Sequence, residues 1–336
     1  MSILKKTYTF LTGITVLSAA SLMSCDRLHE DLDPCPQGVR LRFVYDYNME
    51  YANAFPSQVD CLTLLVYDRD GHWLRTETAG RPETADEEWR MTIDLPAGDY
   101  RMLAYGGMDC SEASFRFATP PAETSMEDLQ VYLPDALITS PEGTDLHNLF
   151  YGALDITVPE AAPDTDYTEG LVRMMRDTND ILVLLANENG DPVDADDFVF
   201  TITDNNTDFN YLNDIISHRD VTYSPWACGE SQTGLVSGGK PALVGWAEFS
   251  VPRLMERSGA TLTVTRRSDG ERTLSIPIVE MLLALKGERY RKMADQEFLD
   301  RENRWRLAFI LNENGVWGEV EIIINDWVVR LNNVTQ

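Results

Sequence analysis

The hexapeptide Leu95-Pro96-Ala97-Gly98-Asp99-Tyr100 lies between two short β-type segments, Trp89–Leu95 and Arg101–Tyr105. Proline fixes one backbone dihedral of a turn and glycine accepts a positive φ, so the hexapeptide predicts a hairpin whose return strand begins at Tyr100. Short β-type segments separated by turn signals continue on both sides of it. This spacing predicts an all-β chain built from sandwiches rather than a parallel α/β sheet.

The segments before the hexapeptide strengthen this prediction. Alternate residues from Val39 to Tyr47 are apolar or aromatic, which predicts a strand with one buried face. Cys61–Tyr67 is almost continuously apolar and predicts a central sandwich strand. The following Asp68-Arg69-Asp70-Gly71 predicts a hairpin turn. It does not match a calcium-binding EF-hand loop, because the twelfth position is Ala79 instead of glutamate.

The second half of the chain also consists of short β-type segments separated by turn signals, without a clear sequence repeat. One helix is predicted around Tyr290–Asn303, with Met293, Phe298 and Leu299 on its apolar side. The predicted organisation is a β-sandwich domain over 38–160, a Pro-rich and acidic linker over 161–170, and a second β-sandwich domain over 171–332. The further predicted strands are Gly152–Val158, Leu171–Met175, Ile181–Ala186, Phe198–Thr203, Ala242–Val251, Thr261–Arg266, Thr273–Val279, Trp305–Leu311, Val316–Ile324 and Asp326–Arg330.

The first 24 residues have the pattern of a bacterial lipoprotein signal peptide. A basic start at Lys5 and Lys6 and the apolar run Tyr8–Leu22 precede the tetrad Leu22-Met23-Ser24-Cys25. The apolar run is too short and too weakly apolar for a membrane-spanning helix, which needs about 20 residues. We therefore predict cleavage before Cys25 and lipid attachment to its sulfur; the alternative is an ordinary secretory signal with a coincidental cysteine.

Residues 25–37 are acidic and Pro-rich and predict an extended tether. Two interpretations of its acidic residues stay open: a surface-export signal or a solvated linker. The precursor has a formal charge of −27, and removal of Lys5 and Lys6 with the signal peptide makes it −29. Such a surface argues against nucleic acid as a partner and against electrostatic docking to anionic lipid.

Chemistry-bearing motifs are scarce. The four histidines lack metal-ligand spacing, and no nucleophile, phosphate-loop or dinucleotide motif occurs. The loop Asp204–Asp208 has two interpretations, a calcium site or a solvated turn, and the solvated turn is favoured. The seven tryptophans lie mostly in strand patterns and are expected in the core. The sequence predicts no enzyme, no cofactor and no metal.

Cysteines beyond Cys25 show no CxxC spacing. Cys35, Cys61 and Cys110 lie in or beside the predicted first domain, so a disulfide among them is one possibility and unpaired thiols are the other. Cys228 is the cysteine left over.

Several segments together resemble one family, the FimB/Mfa-type anchoring subunits of the type V fimbriae of Bacteroides-like bacteria. No single segment is diagnostic, but the ordered set is fairly specific. The resembling segments are Cys25-Asp26 with Glu30–Pro36, Leu41–Asn48, Leu95–Tyr100 with Ala104–Gly107, Leu149–Gly152, Met174–Asn179, Asp295–Asn303 before Trp305, and Ile324–Arg330.

The resemblance implies two transthyretin-like β-sandwich domains with Greek-key topology. It also implies a subunit that is held in the outer membrane by lipid on Cys25, attaches a fimbrium and helps to limit its length. Shaft subunits would be the partners, joined by strand addition. Two other functions remain alternatives: a glycan-binding surface lipoprotein, which needs an exposed aromatic platform, and a lipid-anchored hydrolase, which needs a cleft with convergent polar groups.

Overall fold

The computed structural model describes residues 37–81, 83–162, 166–233, 242–284, 286–311, 317–324 and 327–331. The predicted signal peptide, Cys25, Cys35 and most of the predicted tether lie outside these residues. The strands are β1 (Gly38–Val44), β2 (Cys61–Asp68), β3 (Trp73–Gly80), β4 (Met91–Asp94), β5 (Gly98–Gly106), β6 (Arg116–Phe117), β7 (Gln130–Tyr132), β8 (Phe150–Val158), β9 (Thr168–Arg176), β10 (Thr178–Asn187), β11 (Phe198–Asp204), β12 (Asp208–Asn210), β13 (Val221–Tyr223), β14 (Ala227–Thr233), β15 (Ala242–Pro252), β16 (Thr261–Arg266), β17 (Arg272–Pro277), β18 (Arg304–Leu311), β19 (Trp317–Ile324) and β20 (Trp327–Leu331).

Helices are short and connect strands. They are α1 (Phe55–Gln58), α2 (Asp135–Ile138), α3 (Ile278–Ala284) and α4 (Asp295–Arg301), and single 3₁₀ turns lie at Glu83–Ala85, Pro121–Glu123, Ala195–Asp197 and Glu288–Tyr290. The predicted helix around Tyr290–Asn303 is shorter in the structure: α4 spans Asp295–Arg301, with Phe298 and Leu299 buried, and Met293 lies before it. The prediction of one helix in the second half is wrong, because Pro277 ends β17 and the chain continues as α3.

The first sandwich is a single hydrogen-bonded sheet that folds over on itself. Its strand order is β3-β2-β5-β8-β9-β1-β4. Strands β8 and β9 pair over only three positions, from Phe150↔Arg176 to Gly152↔Met174, and the sheet bends there. The two halves enclose one apolar cluster, to which β1 contributes Val39, Leu41 and Phe43. The predicted one-sided burial of β1 is therefore confirmed.

The predicted boundary between the domains differs from the structure. Leu171–Met175 was assigned to the second domain, but it lies in β9, which pairs in parallel with β1 and antiparallel with β8. The first sandwich therefore extends to Arg176, and the second begins with β10 at Thr178. A strand that pairs with residues about 130 positions earlier carries no local sign of that partner.

The hexapeptide Leu95–Tyr100 is a corner between layers and not the predicted hairpin. Strand β4 pairs with β1, whereas β5 pairs with β2 and β8. The Tyr100 hydroxyl donates to the carbonyl oxygen of Pro96 at 2.9 Å, which closes the corner. Gly98 does not use a positive φ. Its place is explained by the tyrosine, because an added Cβ would lie 3.3 Å from the Tyr100 hydroxyl oxygen.

The second sandwich packs a six-stranded sheet, β14-β15-β10-β18-β19-β20, against a four-stranded sheet, β13-β11-β16-β17. Strands β10 and β18 run parallel at the centre, from Asp180↔Arg304 to Asn187↔Leu311. The predicted turn Ser268–Glu271 joins β16 to β17, with Gly270 at φ 72°. The predicted class, an all-β chain of two transthyretin-like sandwiches, is confirmed.

Residues 107–149, which connect β5 to β8 and are called here the bridging segment, join the sandwiches. Its strand β7 pairs with β12 of the second half and with β6. Its apolar side chains belong to the same buried cluster as those of β10, β15 and β18. Strand β2 is consequently buried on both faces, as its continuous apolar run predicted.

One disulfide fixes the start of the bridging segment. Cys61 on β2 is bonded to Cys110, 49 positions later. This is one of the pairings that the sequence left open. Cys228 is an exposed free thiol.

Candidate functional site

The lipid-attachment residue predicted from sequence, Cys25, lies outside the described residues, and it stays a prediction. The described chain starts at Gln37 and enters β1 at Gly38. Strand β1 lies between β9 and β4; it pairs with β9 over Val39–Val44 and with β4 over Gly38–Leu41. Any pull on the N-terminal tether would therefore act on an interior strand of the first sandwich.

Where β1 ends, the chain contacts the second sandwich directly. The Asn303 side-chain amide donates to the Tyr45 hydroxyl at 2.6 Å. Arg176, whose side chain is 1% exposed, donates to Asp180 at 2.8 Å and to Asn303 at 3.3 Å. Burial raises the pKa of Tyr45 to about 12, so the phenol stays neutral at physiological pH.

Neighbouring polar side chains continue this junction between the sandwiches. The indole N–H of the buried Trp305 donates to Asn179 at 3.1 Å. Thr178 donates its hydroxyl proton to Asn148 at 2.9 Å, which ties the bridging segment to β10. Since buried polar groups are costly when unpaired, these contacts fix one orientation of the two sandwiches.

A second buried charge cluster lies beside the first. Arg253 makes a bidentate ion pair with Asp300 of α4, at 2.8 and 2.7 Å, and donates to the Asn213 carbonyl oxygen at 2.9 Å. Asp177 is fully buried and accepts from the Asn213 amide at 2.9 Å. Burial raises the pKa of Asp177 to about 7, although the nearby Arg253 charge opposes the rise.

The loop after β1 also contacts α4 through two tyrosine rings. The Arg301 guanidinium lies 4.1 Å from the ring centroid of Tyr47 and 4.6 Å from that of Tyr51. Tyr51 has φ 54°, a conformation that costs free energy for a residue with a side chain. Tyr51 and α4 thus hold the loop at the junction.

The sequence did not identify this junction as a site. Many of its residues come from three of the segments that carry the family resemblance: Leu41–Asn48, Met174–Asn179 and Asp295–Asn303. The sequence does contain one indication of it: Arg, Asp and Asn occupy positions within strand-like segments that would be expected to be buried. The structure gives those segments a shared role, because it brings all three into contact.

Open sheet edges are the other candidate contact sites. In the described part of the chain the edge strands of the three larger sheets are β3, β4, β13, β14, β17 and β20. Strands β3 and β14 have eight and seven residues and contain no proline. Such edges expose unpaired backbone groups that another strand can extend.

Two histidines lie in small clusters of ligand-type side chains. His147 is 3.1 Å from an Asp60 carboxylate oxygen, and His72 is 3.1 Å from that of Asp68. The third member of the first cluster, Cys110, is in the disulfide and therefore cannot offer a thiolate. The second cluster lies on an exposed hairpin turn, where Asp68 caps backbone N–H groups of Asp70 and His72.

The loop Asp204–Asp208 is not the solvated turn that the sequence favoured. Asp204, Asn206 and Thr207 are buried. The Asn206 amide donates to the Pro252 and Arg253 carbonyl oxygens, both at 3.1 Å, and its own oxygen accepts from Tyr223. Burial raises the pKa of Asp204 to about 6. The loop is therefore a structural element that packs against the end of β15.

The comparison with protein families is decisive at this point. The model of the fimbrillin-A associated anchor proteins Mfa1 and Mfa2 matches residues 32–333. The chain belongs to this family. Its members are fimbrial proteins and not enzymes, so a role in fimbriae or adhesion at the cell surface follows. No curated protein matches the chain.

Solved structures share the fold over most of the chain. A candidate adhesin of Bacteroides thetaiotaomicron is 46% identical, with a TM-score of 0.82 over 90% of this chain and 100% of the other. A candidate adhesin of Bacteroides ovatus is 24% identical, with a TM-score of 0.69 over 93% and 100%. The fimbrial anchor protein Mfa2 of Porphyromonas gingivalis shares the fold at 16% identity, with a TM-score of 0.65 over 88% and 99%.

None of the helices among the described residues of this anchor-family protein has the length and apolarity to cross a membrane.

Proposed function

We propose that the protein is a lipid-anchored minor fimbrial subunit that attaches a fimbrium to the outer membrane and helps to limit its length. The observation that carries this proposal is membership of the anchor family over residues 32–333. The lipoprotein pattern at Leu22–Cys25 supports the anchoring step. The lipid on Cys25 holds the protein at the surface, because several acyl chains on one residue make release negligible.

The architecture suits a subunit that carries load. Force that enters at the tether reaches β1, which is hydrogen-bonded on both sides. The Tyr45–Asn303 contact then links the end of β1 to the start of β18, at the centre of the second sandwich. The first sandwich, which the tether enters, and the second sandwich are thus connected by partly buried hydrogen bonds instead of a flexible linker.

Strand addition by a shaft subunit is the proposed mode of attachment. Its affinity would come from backbone hydrogen bonds to an open edge. Strands β3 and β14 are the candidate edges, because both are long and free of proline. Strand β17 is less suited, because it ends at Pro277 and continues into α3.

The anchoring proposal is tested by Cys25→Ala in the native host. We expect fimbriae to appear in the culture medium, and those that remain on cells to be longer than in the parent strain, as measured by immunoblotting and electron microscopy. Cys228→Ala is the matched control, since that thiol is exposed and free. Unchanged retention and length in the Cys25 variant would contradict the proposal.

The attachment edge is tested by adding cations to its surface. The double variants Thr76→Lys, Thr78→Lys on β3 and Glu230→Lys, Gln232→Lys on β14 each place lysines along one candidate edge. Co-purification of shaft subunits from membranes is the measurement. We expect one pair of substitutions to abolish it and the other to leave it unchanged; if both leave it unchanged, neither edge is the attachment site.

A further inference from the structure

A cleft of about 740 Å³ opens beside the junction of the two sandwiches. One wall is the outer face of the six-stranded sheet, and the other is the end of the bridging segment. The side chains that define its chemistry are Asp145, Asp180, Trp226, Glu248, Arg304 and Arg306. The anchoring proposal makes no use of this cleft.

Trp226 departs from the expectation that the tryptophans are core residues. It is 38% exposed at the cleft, immediately before β14. Its main chain is held beside the cleft, because its backbone N–H donates to the Glu248 carbonyl oxygen at 2.9 Å. The exposed indole offers a flat apolar surface beside polar groups, which is the arrangement of a binding site for a partly apolar ligand.

The carboxylates of the cleft are available to a ligand. Asp180 is held by Arg176 at 2.8 Å and lies 3.9 Å from Arg304. By contrast, the Asp145 and Glu248 carboxylates have no hydrogen bond or ion pair with any described residue. Burial, with the Asp180 charge nearby, raises the pKa of both. They therefore gain from a ligand that brings hydrogen-bond donors.

A metal ion does not explain the cleft. Among the described residues, the carboxylates of the cleft do not form a group of three whose oxygens lie within 4.8 Å of one another. Divalent cations need several oxygens gathered around one point. The dispersed carboxylates suit a larger ligand whose donors are spread over its surface.

We infer that this cleft binds a neutral glycan. The C–H face of a pyranose ring would stack on the Trp226 indole, its hydroxyls would donate to Asp145 and Glu248, and its oxygens would accept from Arg304 and Arg306. An acidic polysaccharide is disfavoured, because the lining carries the carboxylates of Glu112, Asp145, Asp180 and Glu248 against two guanidinium groups. The same carboxylates would attract a lysine-rich peptide. A glycan is preferred because its ring face can stack on the Trp226 indole while its hydroxyls bond to both the carboxylates and the guanidinium groups.

The test is affinity electrophoresis of the full-length chain in detergent. Gels contain mannan, starch, galactan or β-glucan as neutral probes and alginate as the acidic probe. We expect retardation by at least one neutral polysaccharide and none by alginate. Trp226→Ala should weaken that affinity at least tenfold, and Trp226→Phe should retain part of it, because a phenyl ring still stacks.

Trp73→Ala is the matched control, since Trp73 is a half-buried tryptophan on β3, outside the cleft. Circular dichroism and thermal melting establish that each variant is folded. Three outcomes overturn the inference: no neutral polysaccharide retards the protein, Trp226→Ala is retarded like the parent, or an oligolysine peptide binds in a Glu248-dependent way while the neutral probes do not. Glycan binding by the cleft does not depend on the proposed lipid anchor. A Cys25→Ala variant should therefore bind the same polysaccharide.

Discussion

The side-chain amide of Asn303 donates to the hydroxyl of Tyr45 at 2.6 Å, between residues 258 positions apart. Tyr45 follows β1, the first strand of the first sandwich, and Asn303 precedes β18, a central strand of the second. Asn303 also accepts from Arg176, so one amide satisfies two buried partners. The contact therefore joins the two sandwiches directly, in addition to their short covalent connection.

Asn303→Ala should lower the free energy of unfolding by about 1–3 kcal/mol, because it leaves the Tyr45 hydroxyl buried and one Arg176 donor unpaired. Urea denaturation followed by fluorescence is the measurement. Ser125→Ala is the control, because among the described residues the Ser125 hydroxyl bonds only to its exposed neighbour Asp128. Equal midpoints for Asn303→Ala and the control would show that the junction contributes nothing to stability.

Loss of the Cys61–Cys110 disulfide should destabilise the fold by about 2–4 kcal/mol, since it closes a loop of 49 positions. Thermal melting of the Cys61→Ser, Cys110→Ser double variant measures this, with reduction of the parent protein as a second route to the same state. Cys228→Ser should melt like the parent, because its thiol is free. A double variant that also melts like the parent would show that the disulfide does not stabilise the fold.

Asp177 should make stability depend on pH. Its pKa is about 7 in the folded state and near 4 when unfolded, so the folded state holds the proton more tightly. The resulting stabilisation is fully present below pH 4 and is lost as pH rises through 7, at up to about 1.4 kcal/mol per pH unit.

Asp177→Asn should remove this dependence while an amide oxygen still accepts from Asn213. Urea midpoints at pH 5, 6, 7 and 8 are the measurement, and the parent should lose stability relative to the variant as pH rises. Glu87→Gln, at an exposed site, is the control. A constant difference between parent and Asp177→Asn across this range would count against the raised pKa.

Tyr100→Phe should cost about 0.5–1.5 kcal/mol, because it removes the hydrogen bond to Pro96 that closes the corner between β4 and β5. The apolar ring stays, so a larger loss would indicate rearrangement of the corner. Chemical denaturation is again suitable. Tyr132→Phe is the control, since the Tyr132 hydroxyl has no hydrogen-bond partner among the described residues; similar midpoints for the two variants would contradict the prediction.

The hexapeptide shows where inference from sequence reached its limit. Proline, glycine and tyrosine in that order predicted a tight reversal between strands, and a reversal is present. The sequence could not say that the two strands enter different halves of the folded sheet. Strands pair through backbone groups that are nearly the same in every residue. The local sequence of a strand therefore does not identify the strand with which it pairs.

The same limit explains the boundary and the junction. Leu171–Met175 of β9 is predicted in the second domain, since nothing local indicates that its parallel partner is β1, about 130 positions earlier. Arg176, Asn179 and Asn303 stood in segments that the family resemblance had already marked, yet their roles depend on contacts with Tyr45, Trp305 and each other.

The sequence by itself determined the all-β class, the buried faces of the strands, most of the turns and the lipoprotein pattern at Cys25. These features follow from local chemistry: side-chain alternation, fixed proline dihedrals and the signature of a processing site. Tertiary structure decided which strands share a sheet, which cysteines bond, how the sandwiches meet and why Trp226 faces a cleft. Each of those outcomes requires side chains from distant segments to meet, and only the folded chain sets their distances.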